Sequence, residues 1–135
     1  MTTTSAPSAR LRKAVLPVVE QLKGLLYYPT FYEGAEQSPN IIYTAAEATQ
    51  QASAACQWLL KNKGKTFYLV GSDYVWPRTI NKQLKGYWTS KGIPESAWRE
   101  EYVPFGFSNF QTLVNQVRSF ASQPGGQAIV VLTVV

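Results

Sequence analysis

The sequence predicts an α/β fold in which a parallel sheet is flanked by helices. From residue 46 onward, amphipathic helical patterns alternate with short apolar strand patterns, an order typical of parallel strands joined by right-handed crossovers. The apolar run at residues 66–70 ends in Gly71-Ser72-Asp73 and leads into a helix with proline in its first turn. In α/β proteins, such strand-to-helix turns at the carboxyl ends of strands form the ligand crevice.

Each element is predicted from its own residue pattern. Helices are expected where apolar residues recur with helical spacing, and strands where short apolar or β-branched runs lie between turn residues. The predicted helices cover residues 10–22, 46–61 and 77–91, and a fourth runs from a Ser108 cap to residues 124–126. The predicted strands cover residues 25–28, 41–44, 66–71, 101–104 and 127–135.

Three details of this pattern carry further predictions. Pro17 lies inside the first predicted helix, which therefore either begins late or bends there. The strand at residues 66–71 is nearly all apolar, as expected of an inner parallel strand covered on both faces. Cys56 falls on the apolar face of the second helix, so we interpret it as a small core residue rather than a reactive thiol.

The composition excludes several classes of enzyme. The 135 residues include no histidine, one cysteine and one aspartate, Asp73. Histidine triads, Cys–His dyads and the usual zinc ligand sets are therefore absent. Glu100 and Glu101 are adjacent on a predicted strand and so point to opposite faces. With no phosphate-binding glycine fingerprint either, we predict a non-enzymatic protein that uses no cofactor and no metal.

The net charge of +5 does not indicate a nucleic-acid partner. Lys61, Lys63 and Lys65 fall in a predicted loop, the other basic residues are scattered, and nucleic-acid binding requires a basic patch. No apolar run approaches the roughly 18 residues that span a bilayer, so we predict that the chain does not cross a membrane. Residues 1–9 are rich in Thr, Ser, Ala and Pro, which predicts a flexible lead-in and no signal peptide.

Four short motifs occur in a fixed order along the chain. Residues 12–18 read RKAVLPV, residues 28–34 read YPTFYEG, residues 38–43 read SPNIIY and residues 71–78 read GSDYVWPR. In this order they resemble the type I periplasmic binding proteins. More narrowly, they resemble the branch that binds urea and short-chain amides, which is related to the amide sensor of amidase operons.

The resemblance implies a fold and a division of the chain. Family members have two Rossmann-like lobes, joined by three crossings, which enclose the ligand between them. Residues 10–45 correspond to part of lobe one, and residues 46–135 to most of lobe two. Because the rest of both lobes has no counterpart here, the chain resembles a fragment, with an incomplete sheet and an unpaired edge.

The resemblance also implies ligand-binding residues. Tyr28 and Thr30 match contacts that follow a lobe-one strand, Tyr74 matches the contact from lobe two, and Val135 matches an apolar wall residue. The alternative interpretation of Tyr28 and Tyr74 is that they are ordinary strand-end aromatic residues packed under loops. Phe31 stands where relatives often have a smaller residue, which would change the size of the pocket.

Two further positions near these motifs carry expectations. In relatives, a serine three residues before the arginine of RKAV touches the ligand. Ala9 stands at that position here, so either Ser8 supplies the contact through a shifted register or the contact is absent. Within the third strand-end turn, we expect Asp73 and Arg78 to form a pair that fixes the turn.

The function implied is a solute-binding component of an ABC transporter for urea or short-chain amides. Such ligands are flat and neutral, so they need hydroxyl and backbone groups that satisfy each N–H and C=O rather than a counter-charge. The transporter permease would be the partner, and the parent protein would be periplasmic or bound to the cell envelope. The alternatives are a cytoplasmic amide sensor that binds a regulatory protein, and a binding protein of the branched-chain amino-acid type.

Overall fold

The computed structural model describes residues 6–34, 36–123 and 127–134, with side chains from residue 11 onward. The helices within these residues are α1 (Ala6–Gln21), α2 (Ala48–Asn62), α3 (Val75–Ser90), α4 (Gln111–Ala121) and a 3₁₀ turn at Glu95–Ala97. The strands are β1 (Leu26–Tyr28), β2 (Ile41–Tyr43), β3 (Phe67–Ser72), β4 (Trp98–Val103) and β5 (Ile129–Thr133). The predicted order of helices and strands is therefore confirmed.

The strands form two separate parallel sheets. β1 and β2 make a two-stranded sheet, and β4, β3 and β5 make a three-stranded sheet in that order. β3 is the inner strand, and all six of its residues are buried, as its apolar run predicted. In its register, Gly71 lies between Tyr102 of β4 and Thr133 of β5. The predicted α/β fold with parallel strands flanked by helices is confirmed.

The core of the three-stranded sheet lies on both of its faces. On one face, Phe67 and Leu69 of β3 pack with residues of α2 and α3, and the Phe67 ring stacks on Trp88 with 4.1 Å between ring centroids. On the other face, Tyr68 and Val70 pack against α4. Burial of this apolar surface supplies the main stabilisation of the sheet, and it fixes the turn that follows β3.

Some boundaries differ from the predictions. α1 begins at Ala6 and continues through Pro17, so it does not begin late. The Ser108 cap is wrong: α4 begins at Gln111 with Phe110 at the N-cap and no side-chain cap. The Phe110 N–H instead bonds to the Ser108 carbonyl, and its ring packs edge-on against Phe107, so a turn occupies the residues where the helix was expected.

Candidate functional site

Tyr28, which the family resemblance implied as a ligand contact, lies at the carboxyl end of β1. Its carbonyl accepts a 3.1 Å hydrogen bond from the Thr44 amide, which fixes the end of the strand against the residue after β2. The ring is 8% exposed and meets Tyr43 edge-on at 6.2 Å. Its buried hydroxyl has no hydrogen-bond partner in the described part of the chain. A buried hydroxyl in this state costs on the order of 1–3 kcal/mol, so Tyr28 is poised to gain a partner.

Arg12 of α1 is the charged centre beside Tyr28. Its guanidinium is buried and pairs with Glu33 at 2.7 Å and with Glu36 at 2.9 Å. The guanidinium carbon lies 5.1 Å from the Tyr28 ring centroid and 5.5 Å from that of Tyr32. Burial opposes the charge of Arg12, but the hydrogen bonds to both carboxylates outweigh it, so the Arg12 pKa lies above its usual range. Arg12 therefore fastens the YPTFYEG loop to α1.

Glu36 and Tyr43 extend this polar cluster. The Tyr43 hydroxyl donates a 2.6 Å hydrogen bond to Glu36, and the Tyr43 ring stacks on Tyr32 with centroids 4.2 Å apart. Burial opposes ionisation of Glu36, yet hydrogen bonds from Tyr43 and Arg12 hold its pKa below the ordinary value. Burial and the hydrogen bond to Glu36 raise the Tyr43 pKa. The carboxylate therefore stays charged and the phenol stays neutral near neutral pH.

Thr30 and Phe31 lie on the surface of the loop between β1 and β2. Thr30 is exposed, and the Phe31 side chain is 59% exposed. Glu33 and Gly34 in the same loop are buried, and Gly34 has a φ of 73°, a conformation that favours glycine. The loop thus buries Glu33 and Gly34 and presents Thr30 and Phe31 outward.

The turn after β3 carries Tyr74, the contact expected from the second lobe. The Asp73 amide donates to the Val103 carbonyl at 2.8 Å, and Tyr74 is the N-cap residue of α3. The half-buried Tyr74 ring lies 5.3 Å from the Phe105 ring. Arg78 donates hydrogen bonds of 2.9 and 2.7 Å to Asp73, which confirms the predicted pair.

Because Gly71 of β3 has no side chain, residues of β4, β5 and α3 can pack closely against it beneath this turn. A β-carbon at Gly71 would lie 2.9 Å from atoms of Pro77 and Thr133 and 3.0 Å from the Tyr102 ring. Close beside it, the fully buried Asn81 of α3 donates to the Tyr102 hydroxyl at 3.2 Å and accepts from the Thr133 hydroxyl at 3.3 Å. These bonds hold α3 and the carboxyl ends of β4 and β5 in one arrangement, which fixes the position of the Tyr74 turn.

Gln83 connects the two parts of the chain. Its side-chain amide, on α3, donates a 3.0 Å hydrogen bond to the carbonyl of Glu33 in the loop after β1. The buried Gln83 Oε1 has no partner among the described residues. No sequence pattern predicts this contact, because Gln83 and its partner are 50 residues apart and belong to no common motif.

A match to a protein-family model shows which family this chain belongs to. A family model described as a periplasmic binding protein domain matches residues 4–135, nearly the whole chain. The chain belongs to this family. Its parallel sheets flanked by helices agree with a partial type I periplasmic-binding-protein fold, and the family binds small ligands and is generally non-enzymatic.

Within this periplasmic-binding-protein domain, the expected site residues Tyr28 and Tyr74 pack against different neighbours. Tyr28 packs under Arg12 and against Tyr43, whereas Tyr74 packs against Phe105. Ser8 lies on the first turns of α1, and only its backbone is described. Val135 lies outside the described residues.

The described residues contain neither a cluster of metal-ligating side chains nor a helix that could span a membrane. No group of three or more potential metal-ligating Cys, Asp or Glu side chains occurs within residues 6–34, 36–123 and 127–134. Over the same residues, no helix has the length and hydrophobicity required to cross a bilayer.

Proposed function

We propose that this domain supplies part of a binding site for urea or a short-chain amide in the solute-binding component of an ABC transporter. The observation that carries the proposal is the buried hydroxyl of Tyr28, which has no partner among the described residues. A hydroxyl can both donate and accept one hydrogen bond, as recognition of an amide C=O or N–H requires. The family match supports small-ligand binding in general, and the choice of amide rests on the sequence motifs.

The charges around Tyr28 favour a neutral ligand. The charge of Arg12 is already balanced by Glu33 and Glu36, and its buried Nη1, which has no partner among the described residues, remains as a donor to which a neutral amide carbonyl can bind. The predicted polar contacts, Tyr28, Thr30 and Tyr74, all carry hydroxyl groups, and the fourth predicted contact, Val135, is apolar. An amino acid would bring two further charges into this region, and burying them would require counter-charges that these hydroxyls do not provide.

The proposed site draws on both parts of the chain and closes around its ligand. Tyr28 and Thr30 form one wall, Tyr74 the opposing wall and Val135 an apolar end, with Ser8 and Phe31 as further candidate contacts. Because the Tyr28 hydroxyl is closed off from solvent, a ligand reaches it only when the surrounding loop moves. We expect this loop movement to accompany the hinge opening between lobes by which two-lobed binding proteins admit a ligand. The parent protein would act in the periplasm or cell envelope and deliver the ligand to a permease.

A nuclear magnetic resonance titration tests the proposal on the protein itself. Urea, formamide and acetamide are added separately, with leucine to test the amino-acid alternative. We expect shifts of backbone amide signals at residues 28–30 and 72–74 with the three amides and none with leucine. Because this chain corresponds to only part of each lobe, we expect it to enclose the ligand incompletely and to bind it weakly. The expected Kd is above about 1 mM, which corresponds to a binding free energy of about 4 kcal/mol or less in magnitude.

The matched variants are Tyr28→Phe and Tyr27→Phe. Tyr27 is the neighbouring tyrosine, and its side chain is 63% exposed. Tyr28→Phe should weaken amide binding about tenfold, the effect of losing about 1.4 kcal/mol, without lowering the melting temperature, because the hydroxyl has no partner to lose. Tyr27→Phe should change neither. Absence of shifts with all three amides, or loss of binding in both variants alike, would contradict the assignment.

A further inference from the structure

Three buried polar atoms without partners lie around one loop of the chain. Among the described residues, Arg12 Nη1, the Tyr28 hydroxyl and Gln83 Oε1 are buried and lack a hydrogen-bond partner. Residues 28–34, which we call the Tyr28 loop, begin with Tyr28 and include Glu33, which bonds to both Arg12 and Gln83. A buried polar atom without a partner costs free energy, so the closed position of this loop carries a penalty that an open position would relieve.

Gln83 holds the Tyr28 loop from the side of α3. A carbonyl oxygen can only accept a hydrogen bond, so the 3.0 Å contact with the Glu33 carbonyl fixes Nε2 as the donor and leaves Oε1 without a partner. The helix neighbours of Gln83, Ile80 and Leu84, are buried in the core of the three-stranded sheet. Gln83 is therefore fixed to that sheet and not to β1 and β2.

Glu33 connects Gln83 to the Tyr28 ring. The Glu33 carboxylate is buried and pairs with Arg12 at 2.7 Å, and the guanidinium carbon lies 5.1 Å from the Tyr28 ring centroid. Gly34 packs against the same glutamine, since a β-carbon at Gly34 would lie 3.8 Å from Gln83 Nε2. A displacement of Glu33 away from α3 would therefore also displace the guanidinium that lies over Tyr28.

We propose that the Gln83–Glu33 hydrogen bond is a latch that keeps the Tyr28 loop closed, and that its release gives an amide access to the Tyr28 hydroxyl. The second part rests on the proposed function. Because the closed loop leaves three polar atoms unsatisfied, its advantage over the open loop is small, and loss of one hydrogen bond shifts the balance toward opening. On the expected division of the chain at residue 45, Gln83 and Glu33 belong to different lobes, so the latch couples loop opening to movement between the lobes.

Hydrogen exchange tests the latch without any ligand. The Ala48 amide bonds to the Tyr32 carbonyl at 3.2 Å, so it exchanges when the Tyr28 loop moves away from α2. Gln83→Glu keeps the size of the side chain but presents only acceptor oxygens to the Glu33 carbonyl, and it should accelerate Ala48 exchange about tenfold. Gln116→Glu is the matched control, because Gln116 is exposed on α4 and undergoes the same change of charge. It should leave the exchange rate unchanged.

The amides of β3 separate latch release from a loss of overall stability. Their exchange in Gln83→Glu should match that of the wild type, because β3 lies in the core of the sheet and away from the latch. Equal acceleration at Ala48 and in β3, or an Ala48 rate equal to that of the wild type, would overturn the proposal. Gln83→Met removes the donor without adding a charge and should accelerate Ala48 exchange in the same way, so the test does not depend on the folding of one variant.

An acetamide titration tests the link to ligand access. A larger open population should lower the apparent Kd of Gln83→Glu relative to Gln116→Glu, by up to about tenfold. An unchanged or higher Kd together with faster Ala48 exchange would overturn the claim that the latch controls access. If the wild type binds no acetamide, the proposed function fails, and Ala48 exchange still decides whether the latch exists.

Discussion

Residues 11–44 and residues 48–134 bury different kinds of side chain. The first segment, the amino-terminal part, buries Arg12 and Glu33 beside Tyr28 and Ile41. The second segment, the carboxy-terminal part, buries an apolar core around Phe67, Leu69 and Trp88. Buried ion pairs fix direction and spacing but add little net stability, whereas apolar burial stabilises without fixing polar geometry. The amino-terminal part therefore supplies positioned polar groups, and the carboxy-terminal part supplies the rigid platform.

The largest effect expected is that of Arg12→Met. Removing this cation leaves Glu33 buried without its partner, and breaking such a pair costs about 3–5 kcal/mol. The measurement is the free energy of unfolding from denaturant titration followed by circular dichroism. Arg78→Met is the control, because its pair with Asp73 is about half exposed, with side-chain exposures of 53% and 51%, and solvent screens it. Similar losses in both variants would show that burial of the Arg12 cluster is energetically unimportant.

In the carboxy-terminal part, the largest effect should follow loss of volume. Leu69 is fully buried in β3, so Leu69→Ala should lower the free energy of unfolding by about 2–5 kcal/mol. Leu25→Ala removes the same atoms from a side chain that is 56% exposed and should cost far less. A Leu69→Ala variant as stable as Leu25→Ala would contradict the apolar-core description of this part.

Two glycines in the carboxy-terminal part should respond in opposite directions. Gly71→Ala forces a methyl group against Pro77 and Thr133, and overpacking of this kind costs about 1–3 kcal/mol. Gly86 lies in α3 with open space around it, so Gly86→Ala should stabilise the helix by up to about 1 kcal/mol. Thermal unfolding of the two variants measures the sign of each change in stability. A Gly71→Ala variant as stable as the wild type would contradict the close approach at Gly71, and a destabilised Gly86→Ala variant would contradict the open space at Gly86.

The smallest effect expected is a decrease in the free energy of unfolding at acid pH that arises from the amino-terminal part. The Glu36 pKa is lowered in the folded chain, so its contribution to stability is present above the unfolded pKa of about 4.5. That contribution is lost as the pH falls through the lower folded value. Tyr43→Phe removes one hydrogen bond to Glu36 and should move the acid transition to higher pH, while Glu36→Gln should remove this component. Unfolding free energies measured from pH 6 to pH 2 test both, with about 1.4 kcal/mol per unit of pKa shift as the scale.

Local patterns predicted the fold well because each element carries its own signal. The apolar run of β3 and the helical spacing around Cys56 were sufficient to place both in the core. Asp73 and Arg78 are five residues apart, a separation at which a turn brings side chains together. The Ser108 cap failed because aromatic packing between Phe107 and Phe110 favoured a turn over the expected cap.

The candidate site was less predictable because its contacts join distant residues. Arg12 and Glu33 are 21 residues apart, and neither strand alternation nor helix periodicity encodes a pair that links a helix to a loop. Asn81 occupies a buried position on α3 that its polarity argued against, and only Tyr102 and Thr133 explain it. The position of Tyr28 at a strand end was predictable, but the packing of its ring depends on Arg12 of α1 and Tyr43 of β2, which are distant in sequence.

Modification of Cys56 can report how often the carboxy-terminal core opens locally. The thiol is 2% exposed, burial raises its pKa, and the Trp88 indole N–H donates a hydrogen bond to its sulfur. A thiol-modifying reagent can therefore react only after a local opening that exposes the sulfur, and the rate of modification reports how often such openings occur. Since Cys56 is the single cysteine of the chain, every reaction event comes from this one contact. In a chain whose other three tryptophans, Trp58, Trp76 and Trp98, are replaced by phenylalanine, the fluorescence of Trp88 should change with the same event.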